Sequence, residues 1–205
     1  MISHKGRYTT LMEEQTGSIE KLILSGKKVF TSEDLAVIWQ VTENNKLKER
    51  IKYYLKRKKI HSIFSGVYIY SQDYTSLDIA QKLIPLSYIS LYTASGIYGL
   101  TFQHYSTIHS MALKSKKYKV NGIEYVYHKV KESIFYNSLG LINNGRYTIT
   151  SKERTICDII YLYPSISFDN LRNIDTEKLK SLCKIYDNKR VEETIEKIIF
   201  DINNM

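Results

Sequence analysis

Between residues 44 and 70 the chain reads NNKLKERIKYYLKRKKIHSIFSGVYIY, and its apolar spacing changes from helical to strand-like with no proline between the two. A helix starting near Asn44 or Asn45 places Leu47, Ile51, Tyr54 and Leu55 within roughly a 100° arc. Lys46, Lys48, Arg50, Lys52, Lys56 and Arg57 take the opposite arc. From Ile60 onward the period is two: Ile60, Ile63 or Phe64, Val67 and Ile69 alternate around Ser65-Gly66, a hairpin-turn signal. An amphipathic helix that runs straight into a hairpin admits few folds.

The residues before it narrow the choice. In GSIEKLILSGKKVF, Ser18 suits a helix N-cap, Ile19, Leu22 and Ile23 share a face, and Gly26 marks the stop. In TSEDLAVIWQ, Thr31 or Ser32 is the expected cap, Glu33 and Asp34 sit where the helix dipole favours acids, and Leu35, Ile38 and Trp39 form a buried stripe. Three helices and a β-hairpin within seventy residues follow the order of a winged helix-turn-helix.

Charge points to the class of partner. Eight basic residues lie between Lys46 and Lys59 against one acid, Glu49. Such a helix lacks the i,i+4 partners that would relieve its self-repulsion. Residues before Ser71 carry 13 bases and 7 acids (+6); the rest carry 17 and 14 (+3), giving +9 overall with a pI near 9.3. A basic surface of this kind attracts polyanions, nucleic acid first. In a helix-turn-helix the second helix enters the major groove, which would put Thr42, Asn44, Asn45, Lys46 and Lys48 nearest the bases and Arg50, Lys52, Lys56, Arg57 and Lys58 toward phosphates. Asn pairs well with adenine and Lys with guanine. Ser65, at the hairpin tip, would lie along the backbone or a minor groove.

The remainder reads as α+β. LDIAQKLIP is a helix ended by Pro85, and SYISLYTASGIYGL a second, capped by Ser87 or Ser90 and closed by Gly99. Strands follow from Ser106 to Lys129 with a two-residue turn at Asn121-Gly122, and another hairpin around Asn144-Gly145. TSKERTICDIIYLYP opens a helix with Thr150 and Glu153 in capping-box register and buries Ile156, Ile159 and Ile160. Helical segments are expected near residues 168–173, 176–186 and 189–202. The expected fold is α+β: a winged helix-turn-helix domain over residues 1–72, with its boundary in the turn SQDYTS, then an α+β domain over 73–205 with a small antiparallel sheet and a helical tail.

Chemistry-bearing motifs are sparse. The five histidines show no metal-ligand spacing, and Cys157 and Cys183 read as buried free thiols on helices. No nucleophile elbow, phosphate loop or HExxH motif occurs, so no catalytic residue, metal or cofactor is expected. Glu153, Arg154 and Asp158 could form a polar cluster at one helix end. With no signal-like or membrane-spanning apolar run, a cytoplasmic protein is expected.

Taken together, VFTSEDLAVIW, LKERIKYYLKRKKI, SGVYIY, DIAQKLIPLSYISLYTASGIYGL and YTITSKERTICDIIYLYP, in this order across residues 18–165, resemble the AbiEi antitoxins of bacterial type IV toxin–antitoxin systems. The resemblance implies a winged helix-turn-helix that represses its own operon by binding inverted repeats in double-stranded DNA. It also implies a C-terminal antitoxin domain, opposing a nucleotidyltransferase-like toxin without a stable complex. The family's basic DNA-binding surface would correspond to Lys46, Lys48, Arg50, Lys52, Lys56, Arg57 and Lys58. Exposed members of TSKERTICD are a candidate antitoxicity surface. A dedicated transcription factor, whose C-terminal domain dimerises or senses a ligand, is the alternative.

Overall fold

The computed structural model describes residues 17–103 and 106–204. The chain is mixed α+β and divides into two compact units, one ending at Lys82 and the other beginning at Leu83. Among the described residues no helix is long and apolar enough to cross a membrane.

The first unit comprises α1 (residues 17–24), β1 (Val29–Thr31), α2 (Ser32–Trp39), α3 (Asn44–Lys56), β2 (His61–Phe64), β3 (Val67–Ile69) and α4 (Ser76–Leu83). The strands form an antiparallel sheet in the order β1-β3-β2. Its helix ends follow local chemistry. Thr31 caps α2 in a capping box with Asp34: the Asp34 N–H donates to Thr31 Oγ1 at 3.1 Å, and the Thr31 N–H donates back to Asp34 Oδ2 at 3.0 Å. Gly26 turns the chain at φ 69°, and its N–H closes α1 on the Ile23 carbonyl. Ser18 is not the cap of α1 but a buried residue inside it, whose carbonyl accepts the Trp39 indole N–H at 3.0 Å. That bond uses the polar edge of Trp39 while its ring joins Leu22, Phe30, Leu35, Leu47, Ile51, Tyr54 and Ile60 in the core. Ile23, placed on the same face by spacing, is exposed.

Two features of this unit exceed the periodic pattern. Val29–Thr31, the short link between helices, becomes the edge strand β1 against β3. Helix α4 also belongs here, so the division falls later than the polar turn at 71–76. The Lys82 ammonium donates to Asp34 at 2.7 Å, and both side chains are only 15% exposed.

The second unit comprises β4 (Tyr88–Ile89), α5 (Leu91–Ile97), β5 (Ile108–Ala112), β6 (Lys116–Val120), β7 (Ile123–Lys129), α6 (Glu132–Phe135), β8 (Leu141–Asn143), β9 (Thr148–Thr150), α7 (Lys152–Leu162), α8 (Thr176–Cys183), a 3₁₀ turn (Lys184–Tyr186) and α9 (Lys189–Asn203). Its sheet has six strands in the order β6-β7-β5-β4-β9-β8. The hairpins β6–β7 and β8–β9 are antiparallel, whereas β5–β7 and β4–β9 are parallel. Asn121 and Gly122 both take positive φ, 49° and 82°, as a tight hairpin turn demands. The residues read as one helix from Ser87 split at Ser90: Tyr88–Ile89 pairs as β4, and Ser90 is the N-cap of α5. Ser151, not Thr150, caps α7, because Thr150 is the last residue of β9. Residues 168–173 are not helical, while α8 and α9 form the C-terminal helices. Tyr88, Leu91, Met111, Ile134, Ile156, Ile159, Leu179, Val191 and Ile195 make the core, with both cysteines buried as free thiols.

Candidate nucleic-acid interface

Helix α3 carries most of the candidate contacts. Leu47, Ile51 and Tyr54 anchor it in the core, so the other sectors face outward. At 100° per residue they separate into two stripes. Asn45, Lys48, Lys52 and Lys56 fall within about 80° of arc, and all four are exposed. Among the described residues Lys48, Lys52 and Lys56 form no ion pair.

The second stripe, Lys46, Arg50 and Arg57, is already engaged. Lys46 Nζ lies 2.6 Å from Glu43 Oε1, Arg50 donates to the Trp39 carbonyl at 3.4 Å, and the Arg57 guanidinium sits 4.7 Å over the Tyr53 ring. Lys46 and Arg50 border an open groove of about 940 Å³ that runs past Lys21, Thr42, Glu43 and Tyr53. Two acids, Glu43 and Glu49, also line it, so this side of α3 is less positive than the charge run suggests.

The ends of the helix place the remaining candidates. Thr42 and Asn44 are exposed where the α2–α3 turn enters α3. Lys58, exposed just past the C-terminus, takes the left-handed conformation at φ 54° and donates its N–H to the Leu55 carbonyl. The chain then passes through buried Ile60 into β2, and Ser65 is exposed at the turn to β3 beside Gly66 at φ 72°. Gly66 also accepts the Ser32 N–H through its carbonyl, which holds the turn against the start of α2.

In the second unit the segment TSKERTICD is not a surface. Ser151, Glu153, Arg154, Thr155 and Asp158 are buried, and only Lys152 is half-buried. The expected polar cluster separates into two. Glu153 accepts from Ser151 at 3.0 Å and pairs with Lys178 at 2.7 Å. Arg154 and Asp158 lie fully buried with Nε and Oδ1 3.5 Å apart. The guanidinium donates to the carbonyls of Leu139 (3.0 Å) and Ile134 (2.9 Å), while Asp158 accepts from Ser90 (2.7 Å) and from the Tyr186 hydroxyl. Burial pushes the Asp158 carboxyl up, and Arg154, Tyr186 and Ser90 act against it. This network joins α5, α6, α7 and the 3₁₀ turn, and its inaccessibility makes it an organiser of the unit, not a binding surface.

One cluster is not foreshadowed by any motif. His109 on β5 and His128 on β7 stack with centroids 5.2 Å apart, and Nδ1 of the first lies 3.0 Å from Nε2 of the second. The Tyr163 hydroxyl lies 3.3 Å from His128 Nδ1, and the Tyr92 ring meets His109 edge-on. Burial and the charge of His128 lower His109 to about 4, and burial and Lys117 lower His128. The only signal in the sequence is that each histidine sits in a strand; parallel pairing of the strands brings them together. The chain matches no protein-family model, and no curated protein matches its sequence.

Proposed function

We propose that the first unit is a winged helix-turn-helix that binds double-stranded DNA, with α2 and α3 as the helix-turn-helix and β2–β3 as the wing. The observation that carries this reading is the stripe of Asn45, Lys48, Lys52 and Lys56, exposed and opposite the core side of α3. A solvated helix gains nothing from aligning three lysines without acid partners; a phosphate backbone alongside gives them counter-charge. Asn44, Asn45 and Thr42, at the helix entrance, are the base-reading candidates, and Lys58 and Ser65 flank the contact. Lys46, Arg50 and Arg57 must exchange existing partners to reach DNA, so they contribute less than the free stripe.

For the whole chain, the resemblance of residues 18–165 to AbiEi antitoxins supports a promoter-binding autorepressor and type IV antitoxin, opposing a nucleotidyltransferase-like toxin without a stable complex. The test of DNA binding is a gel shift of the full chain on its own upstream DNA beside the same DNA with any inverted repeats scrambled. Equal affinity for both would reject operator recognition. The antitoxin role is tested by co-expression with the neighbouring nucleotidyltransferase-like gene. Rescue of growth supports it, and failure with well-expressed protein favours a dedicated transcription factor.

A further inference from the structure

We propose that His109, His128, Tyr163 and Lys117 form a binding site in the second unit for the phosphate group of a small phosphorylated ligand such as a nucleotide. The site is independent of the DNA-binding reading, which concerns the first unit.

Three neighbouring strands supply the polar groups. Lys117 on β6 pairs with Val126 of β7, and His109 on β5 pairs with the same Val126. His128 lies two residues beyond Val126 and so shares its face of the sheet. Lys117, His109 and His128 therefore stand on one side of the sheet, His109 and His128 half-buried and Lys117 exposed. Tyr163, at the end of α7, approaches from the helical layer, with the Tyr92 ring 5.4 Å from its own.

Their chemistry suits an oxyanion. The two imidazoles meet nitrogen to nitrogen at 3.0 Å, which needs a hydrogen on one and a lone pair on the other. Protonating the second ring in the empty site would set like charges side by side, with the Lys117 ammonium acting on both. A phosphate reverses that balance: its negative oxygens accept from imidazolium, ammonium and tyrosine hydroxyl, so binding and proton uptake favour each other. A metal cation is the poorer occupant. Lys117 opposes it, and among the described residues no three His, Cys, Asp or Glu side chains converge. The Tyr92 and Tyr163 rings add an aromatic wall on which a nucleobase can stack.

The experiment follows the histidine ring signals of the full-length chain by NMR during titration with inorganic phosphate, with AMP, and with sodium chloride at matched ionic strength. His109 and His128 are expected to shift saturably with phosphate, with raised apparent pKa values, while His61 in the first unit stays fixed. Lys117→Gln, an exposed change on an edge strand, should weaken binding about tenfold without unfolding the protein. Equal affinity for phosphate and AMP assigns recognition to the phosphate alone; tighter AMP binding, reduced by Tyr92→Leu, adds the base. Rings that do not move at about 10 mM phosphate, that move equally with chloride, or that respond unchanged in Lys117→Gln overturn the proposal.

Discussion

The Lys82 ammonium of α4 lies 2.7 Å from the Asp34 carboxylate of α2, joining residues 48 apart in sequence. The same carboxylate takes Lys27 on its other oxygen at 2.7 Å and closes the capping box with Thr31. Burial would raise Asp34, but the hydrogen bonds from Lys27, Lys82 and the Thr31 N–H hold it down to about 2. Because the folded value lies below the unfolded one, the resulting stability is present above pH 3.8 and is lost as pH falls through about 2. Asp34→Asn should therefore lower the stability of the first unit by about 1–3 kcal/mol at neutral pH. The gap between variant and parent should shrink across that acid window, read from the fluorescence of Trp39, the only tryptophan.

The division of α3 into a free stripe and an engaged stripe gives a quantitative expectation for DNA. Lys52→Ala with Lys56→Ala should flatten the slope of log K against log salt by about 1.8, that is, about 0.9 for each phosphate left without its lysine. Lys46→Ala, which removes a side chain already paired with Glu43, should change the slope less. Fluorescence anisotropy on operator and random duplexes at several salt concentrations distinguishes the two. An unchanged slope in the double variant would remove Lys52 and Lys56 from the interface.

Sequence preference should respond to the other end of the helix. Asn45→Ala is expected to reduce discrimination between operator and random DNA by about 1–3 kcal/mol if it makes a paired bond to adenine. Competition binding checks this, and equal losses on both duplexes would assign Asn45 to the backbone.

Lys58 closes α3 in a conformation that costs an L-residue about 1 kcal/mol or more relative to glycine. Lys58→Gly should stabilise the first unit by roughly 0.5–1 kcal/mol. The same variant should weaken DNA binding if Lys58 touches phosphate. Measuring urea midpoint and affinity together separates the backbone effect from the charge effect.

Gly140 is the glycine most constrained by its surroundings. It sits at φ 75°, and a Cβ there would lie 2.8 Å from Arg154 Cβ and 3.2 Å from Leu182. Neither neighbour can yield easily, because Arg154 is held by Leu139, Ile134 and Asp158. Gly140→Ala should cost the second unit about 2–4 kcal/mol, measured by chemical denaturation, with Gly145→Ala, open to solvent, as the milder comparison.

Much of the first unit is legible in the chain itself. Thr31 with Asp34 caps α2, Gly26 ends α1, and Leu47, Ile51 and Tyr54 form the inner side of α3, because each depends on residues within about one turn. The basic sector of α3 is legible too, but not its division. Lys46, Arg50 and Arg57 look equivalent to Lys48, Lys52 and Lys56 until Glu43, the Trp39 carbonyl and the Tyr53 ring are placed beside them.

By itself the sequence determined what steric and capping preferences decide locally: the Asn121-Gly122 turn with its two positive φ values, the helix starts and stops, and the charge along α3. Tertiary structure alone decided the parallel pairing of β5 with β7, the burial of Arg154 with Asp158, and the meeting of His109 with His128. Those outcomes join groups on separate elements. Strand alternation places a histidine on a face, and helix spacing places Arg154 near Asp158. Neither says whether the site is dry or wet, since that depends on every distant residue packed around it.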